Sequence, residues 1–157
     1  MDFRVSMMKH RLAAWLLLCF LACLVAVPAQ SEQLLLITAG DWPAGPLSGN
    51  EIKRLFLAAP VSRDGRKLVP VINRSDGLTY QIFLQSVMGR SAYTYEKQLL
   101  GRLYTSGIQP PEVVRERERL YDALRSRPGA ISFILARDLD AQAGLRTLQV
   151  LWKGEIR

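Results

Sequence analysis

Val71-Ile-Asn-Arg-Ser-Asp-Gly-Leu-Thr-Tyr80 passes from a β-branched apolar run, through a polar turn, onto a helical pattern. Upstream, Leu68 to Ile72 (LVPVI) reads as a strand, with Pro70 predicting an edge or irregular position because proline cannot donate to a ladder. Downstream, Tyr80, Phe83, Leu84 and Val87 fall at i, i+3, i+4 and i+7, the spacing of an amphipathic helix, which should stop near Gly89. Ser75, Asp76, Gly77 and Thr79 sit where strand gives way to helix. That order of elements points to an α/β domain.

The same alternation extends in both directions. Leu34 to Thr38 is a short apolar run, read as a buried strand, and Ala39 to Gly49 carries the Gly and Pro of a loop. Ser48-Gly-Asn-Glu51 is a capping-box pattern, with Ile52, Leu55 and Phe56 following at helical spacing. Asp64-Gly65 marks a turn. Ser91 is placed to cap a helix that carries Tyr95, Leu99 and Leu103 on one face, and Tyr104 to Gln109 reads as a glycine-containing loop. Pro110-Pro111-Glu112 predicts a helix start, with Val113, Leu120 and Leu124 sharing a face. On that reading Arg115-Glu-Arg-Glu-Arg119 is its solvated side, with weak Glu112/Arg115 and Glu116/Arg119 pairs. Pro128-Gly129 ends it, Ala130 to Leu135 (AISFIL) is a buried strand, and Arg146 to Trp152 alternates as a last strand. Strands separated by helices imply a mostly parallel or mixed sheet flanked by helices, in one domain without repeats or linkers.

Residues 1–29 read differently. Lys9 and Arg11 precede an uncharged apolar run from Leu12 to Val27, and Val27-Pro28-Ala29 supplies small residues for cleavage. This is the layout of a secretory signal peptide, giving a mature start near Gln30. The alternative is a retained anchor, but the run is shorter than the roughly 20 residues a spanning helix needs. No other segment is apolar and long enough to span a membrane.

The 157-residue chain is 49% hydrophobic and carries a formal net charge of +7, which excludes a disordered class. Cys19, Cys23 and His10 all lie within residues 1–29. Without the leader there is neither Cys nor His, which excludes Cys/His zinc sites, Ser-His-Asp or Cys-His nucleophiles, His-held haem and structural disulfides. Neither a cofactor nor a metal is expected. Beyond residue 29 the chain holds 18 Lys and Arg against 13 Asp and Glu, an excess suited to anionic ligands or envelope surfaces. Nucleic acid is not expected, because no basic run exceeds two residues and no basic strand is rich in aromatics. Catalysis would rest on isolated carboxylates such as Asp41 or Asp76, which nothing pairs at a telling spacing, so no enzyme and no catalytic residue is expected.

The junction supports two readings. A first helical turn has unsatisfied N–H groups and a partial positive charge, so Arg74, Ser75, Gly77 and Thr79 can form an anion site. Asp76 then suits an anion that keeps a proton: hydrogen phosphate has a hydroxyl to donate to a carboxylate, and sulfate at neutral pH has none. On the second reading Asp76 or Ser75 merely caps the helix, Gly77 eases the turn and Arg74 is solvated. Asn73-Arg-Ser75 also matches a glycosylation acceptor, read as chance.

This segment resembles the R-S-D-G-S-G-T-T motif of the phosphate-binding subunits of bacterial ABC importers. The wider chain is similar to the short, signal-bearing phosphate-transporter substrate-binding-like (PstS-like) proteins. The shared elements run from the Leu47-Ser48 helix through Leu68–Ile72, Met88-Gly-Arg-Ser91 and Leu103-Tyr-Thr-Ser-Gly-Ile-Gln-Pro-Pro111 to Pro128-Gly-Ala-Ile-Ser-Phe133, with the likeness spanning roughly residues 34–151. It implies a single Rossmann-like lobe of the type II periplasmic-binding-protein fold, a periplasmic location and a solute-binding role for phosphate or a similar oxyanion. The matched positions are Arg74, Ser75, Asp76, Gly77 and Thr79, with Thr105, Ser106 and Gly107 as weaker ligand-binding candidates. Importer subunits are about twice as long, with two lobes that close on the anion. Here the motif's inner Ser-Gly is missing, and the loop Ala39-Gly-Asp-Trp42 lacks the family's hydroxyls. The competing expectation is therefore an envelope interaction module that has lost small-ligand binding and serves a transporter, porin or sensor protein.

Overall fold

The computed structural model describes residues 31–41 and 45–155. The expected leader, its cleavage point and Trp42 lie outside the described residues. β1 (Ser31–Thr38) leads through a loop to α1 (Gly49–Phe56) and a small hairpin, β2 (Ser62–Arg63) and β3 (Arg66–Lys67). β4 (Val69–Asn73) feeds α2 (Gly77–Ile82), which continues as a π-helical turn over Phe83–Met88. There follow α3 (Ala92–Ser106), β5 (Glu112–Val114), α4 (Arg117–Ser126), β6 (Ala130–Leu135), a 3₁₀ turn at Ala136–Asp138 and β7 (Arg146–Glu155).

Five strands form one mixed sheet in the order β5-β4-β6-β1-β7. β4 pairs in parallel with β5 and β6, whereas β1 pairs antiparallel with both β6 and β7. Only β1 therefore runs against the rest. The twofold alternation of a strand sorts its side chains between two faces. Leu34 and Leu36 of β1, Ile72 of β4, and Ile131, Phe133 and Leu135 of β6 join one core with α1, α2, the π turn and α3. Leu35, Ile37, Val71, Ala130 and Ile134 join a second core with α4. Every residue of AISFIL is buried because both faces of β6 are covered. Phe83 stacks on Phe133, with Phe56 edge-on to both.

Local sequence signals explain most boundaries. Ser48 and Glu51 make the reciprocal capping box, and Ile52, Leu55 and Phe56 are buried. Asp64 and Gly65 both have positive φ in the β2–β3 turn, as a two-residue hairpin requires. Gly89 caps the π turn in the left-handed conformation, and Ser91 accepts from Thr94 N at the start of α3.

Three expectations are corrected. Pro110-Pro111-Glu112 does not open a helix: Glu112–Val114 is a strand, and the helix starts at Arg117. The β-branched Val113-Val114 pair lies in parallel register with Ile72 and Asn73, and ladder bonds outweigh the helical charge spacing. Glu112 consequently pairs with Arg127, while Glu116 and Arg119 do pair, at 3.1 Å. Second, Tyr104, Thr105 and Ser106 belong to α3, and the loop begins only at Gly107. Third, β4 is an inner strand. Pro70 is accommodated because β5 begins opposite Val71, so Pro70 has a strand neighbour on the β6 side alone.

Candidate functional site

The parallel strands β4 and β6 end on the same side of the sheet, and the junction of residues 74–79 lies there. Ladder pairing between the two strands stops at Pro70 and Ile131. Beyond that point side chains bridge them: Ser132 Oγ donates to Val71 O (2.7 Å) and Asn73 Nδ2 donates to Phe133 O (2.9 Å). Asn73 is 1% exposed. Its Oδ1 accepts from both Ser75 N (2.9 Å) and Ser75 Oγ (2.6 Å), folding the chain into the turn. So buried a side chain is not an accessible glycosylation acceptor. Arg74 N donates to Val114 O (2.7 Å), tying the turn to β5 as well.

Asp76 caps α2. Its Oδ2 accepts from Thr79 N (2.8 Å) and Thr79 Oγ1 (2.7 Å), and Thr79 is buried. Burial pushes the Asp76 carboxyl up, but the hydrogen bonds from Thr79 and Leu78 and the charge of Arg137 outweigh it, so its pKa is lowered from 3.8. Asp76 is a carboxylate at neutral pH. Arg74 lies over the Tyr80 ring, 4.8 Å from its centroid, and pairs with Glu96 at 3.1 Å. Gly77 is exposed at the first helical position.

The structure therefore brings Arg74, Ser75, Asp76, Gly77 and Thr79 together, but engages the hydroxyls of Ser75 and Thr79 and one Asp76 oxygen within the turn. Thr105, Ser106 and Gly107 stand apart from these. They form the end of α3, where Gly107 is a left-handed cap and Thr105 Oγ1 donates to Gly101 O (2.8 Å). Thr105 lies nine residues beyond Glu96, about 14 Å along the helix axis. A helix C-terminus also carries a partial negative charge, which disfavours an anion.

Two residues that sequence reasoning passed over belong to the junction. Asn73 organises it, and Arg137, in the turn after β6, supplies the positive charge that acts on Asp76. Arg137 also pairs with Glu32 at 3.4 Å and Asp138 at 3.7 Å. The signal for both was positional: each lies at the carboxyl end of one of two strands that proved parallel neighbours.

The loop after β1 does not face this site. Because β1 is antiparallel, Thr38 aligns with Ile131, at the far end of β6 from Leu135. Asp41 consequently meets Arg66 and Arg146 instead.

No protein-family model matches the chain, and no curated protein matches it. Among solved structures it is similar to an ABC-type phosphate transport receptor from Vibrio cholerae, with TM-score 0.54 and 15% identity, covering 76% of this chain and 46% of that one. It is also similar to PstS from Borrelia burgdorferi, with TM-score 0.53 and 12% identity, covering 75% and 47%. The chain spans less than half the length of either. This likeness is one of fold: a five-stranded mixed sheet flanked by helices, the architecture of a single periplasmic-binding-protein-like lobe. Among the described residues no helix is long and apolar enough to cross a membrane, and no group of three or more acidic, His or Cys side chains is placed to hold a metal ion.

Proposed function

We propose that this chain is an exported, periplasmic, non-enzymatic solute-binding lobe that recognises hydrogen phosphate or a similar oxyanion at residues 74–79. The observation that carries the reading is the placement of Arg74 and an ionised Asp76 at the carboxyl end of an inner parallel strand. The fold is one that it shares with a phosphate transport receptor, that of Vibrio cholerae. Ligands of open α/β sheets bind at this end of the strands. In this proposal Arg74 supplies charge and a fork of donors, and the exposed first turn at Gly77 supplies backbone N–H. The second Asp76 oxygen accepts the phosphate hydroxyl, while Ser75 and Thr79 hold the loop. A single lobe leaves the anion partly hydrated, so binding is weak.

Calorimetric titration of phosphate and then sulfate into phosphate-stripped protein tests this. Saturable heat with phosphate alone, lost in Asp76→Ala, is the expected result. Silence with both anions from folded protein rejects it.

One observation favours a second reading, an envelope interaction module. Tyr93 (73% exposed), Leu100 (50%) and Tyr104 (83%) lie on one face of α3, opposite the buried Tyr95 and Leu99. Such a stripe suits contact with a transporter, porin or sensor protein. Cross-linking from positions 93 and 104 in intact cells distinguishes the two, and recovery of background proteins only counts against the module.

A further inference from the structure

Two concavities adjoin at the opposite end of β4, and Lys67, Val69 and Arg127 line both. Val69 is four residues from Asn73, so they lie about 13 Å along the strand from the phosphate-site candidate.

The first concavity, about 500 Å³, arises from Pro70. On the flank where β5 has not yet begun, the linker between α3 and β5 folds over the start of β4. Pro60, Pro70, Ile108 and Pro110 then face an unfilled space. The lining is mostly apolar, its polar members being Gln109, Glu112, Lys67 and Arg127, so the space suits an apolar group.

The second, about 750 Å³, is lined by Arg66, Lys67, Arg125 and Arg127 against a single carboxylate, Asp41. Asp41 is already held by Arg146, and its carbonyl accepts from Arg66 Nη1 (3.1 Å). Arg125 pairs with Asp122 (2.9 Å) and Arg127 with Glu112, but Lys67 has no ion-pair partner among the described residues. The cleft is net positive. Its wall is fixed by backbone: Val69 N donates to Gly129 O and Leu68 N to Val61 O, both at 2.9 Å. Gly129 has φ +78°, and a Cβ there would lie 2.3 Å from Lys67 O.

We infer that this paired cleft binds an amphiphilic anion: an apolar ring or short alkyl group seated among the prolines, with its phosphate or carboxylate on Lys67 and Arg127. Neither half alone selects such a molecule. The apolar half adds nothing to the binding of a free inorganic anion and the cationic half nothing to that of a neutral hydrophobe, so a molecule carrying both moieties gains from both. The boundary residues are the cations Lys67 and Arg127, which places the charged group where the apolar space ends.

The test is a fluorescence titration of the purified protein with 1-naphthyl phosphate, alongside 1-naphthol and inorganic phosphate as competitors. The expected result is saturable binding of 1-naphthyl phosphate, at least tenfold tighter than that of either competitor. Lys67→Gln, which removes no ion pair, weakens it severalfold, and Lys67→Gln with Arg127→Gln weakens it by more than tenfold. Equal affinity for 1-naphthol overturns the inference, as does an absence of binding by protein that melts cooperatively. Loss of binding in Arg74→Gln also overturns it, by assigning the anion to the junction instead.

Discussion

The two ends of β4 use similar residue types in opposite ways. At the carboxyl end, Asn73, Ser75, Asp76 and Thr79 spend their hydrogen bonds on one another, and Arg74 and Arg137 are each matched by carboxylates. At the amino end, cations outnumber carboxylates around a cleft whose wall includes the backbone bonds of Leu68 and Val69. A polar cluster that builds a turn has less capacity left for a ligand than one that only lines a cleft. Charge and hydroxyl content in a sequence do not separate these cases, because what matters is how much of it is already bonded.

The contrast can be broken most strongly at Gly129. Gly129→Ala combines a left-handed φ with a backbone clash at Lys67 O, so a loss above about 2 kcal/mol is expected in chemical denaturation. A change near zero means the wall between the clefts yields easily. Next is Asn73→Ala, which strands Ser75 donors and the Phe133 carbonyl near the core. A loss of about 1–3 kcal/mol is expected by the same measurement. Asp76→Ala removes the cap of α2 and costs about 1 kcal/mol.

A smaller effect isolates the charge of Asp76. Its folded pKa lies below the ordinary 3.8, so the charged form contributes stability above that value and loses it as pH falls through the lower folded value. Asn caps almost as well as Asp without ionising. Melting curves should therefore show wild type ahead of Asp76→Asn at pH 5 to 7, with the two converging as pH drops below about 4. A gap that persists at the acid end assigns the benefit to geometry instead. Arg74→Gln should alter stability least, by about 0.5 kcal/mol, since its pair with Glu96 is partly exposed. Its phosphate response, measured by the same calorimetry as above, is the sharper readout.

Much of this was legible locally. The capping box at Ser48–Glu51, the Asp64-Gly65 turn, the cap at Ser91 and the apolar run of β6 each depend on residues a few positions apart, and each formed as expected. The junction was legible too, as a strand-to-helix turn with Asp76 and Thr79 in the first helical turn. What failed were segments whose outcome depends on distant chain. Glu112–Val114 carries a helical charge pattern, yet β4 offered it a ladder. Asn73 looked like one polar residue among several, and only Phe133, sixty residues away, makes it the organiser of the loop.

Sequence alone determined most strands and helices outside residues 104–116, the caps at Ser48 and Ser91, and that Cys and His chemistry is confined to residues 1–29. These properties follow from side-chain periodicity, backbone propensity and residue type, all of which act over a turn or a strand. Tertiary structure alone decided that β1 runs antiparallel, that β4 is internal, and that the loop after β1 faces a basic cleft rather than the junction. Strand direction leaves no mark on an apolar run, because a peptide group can bond a neighbour running either way, and the choice falls to the chain that packs beside it.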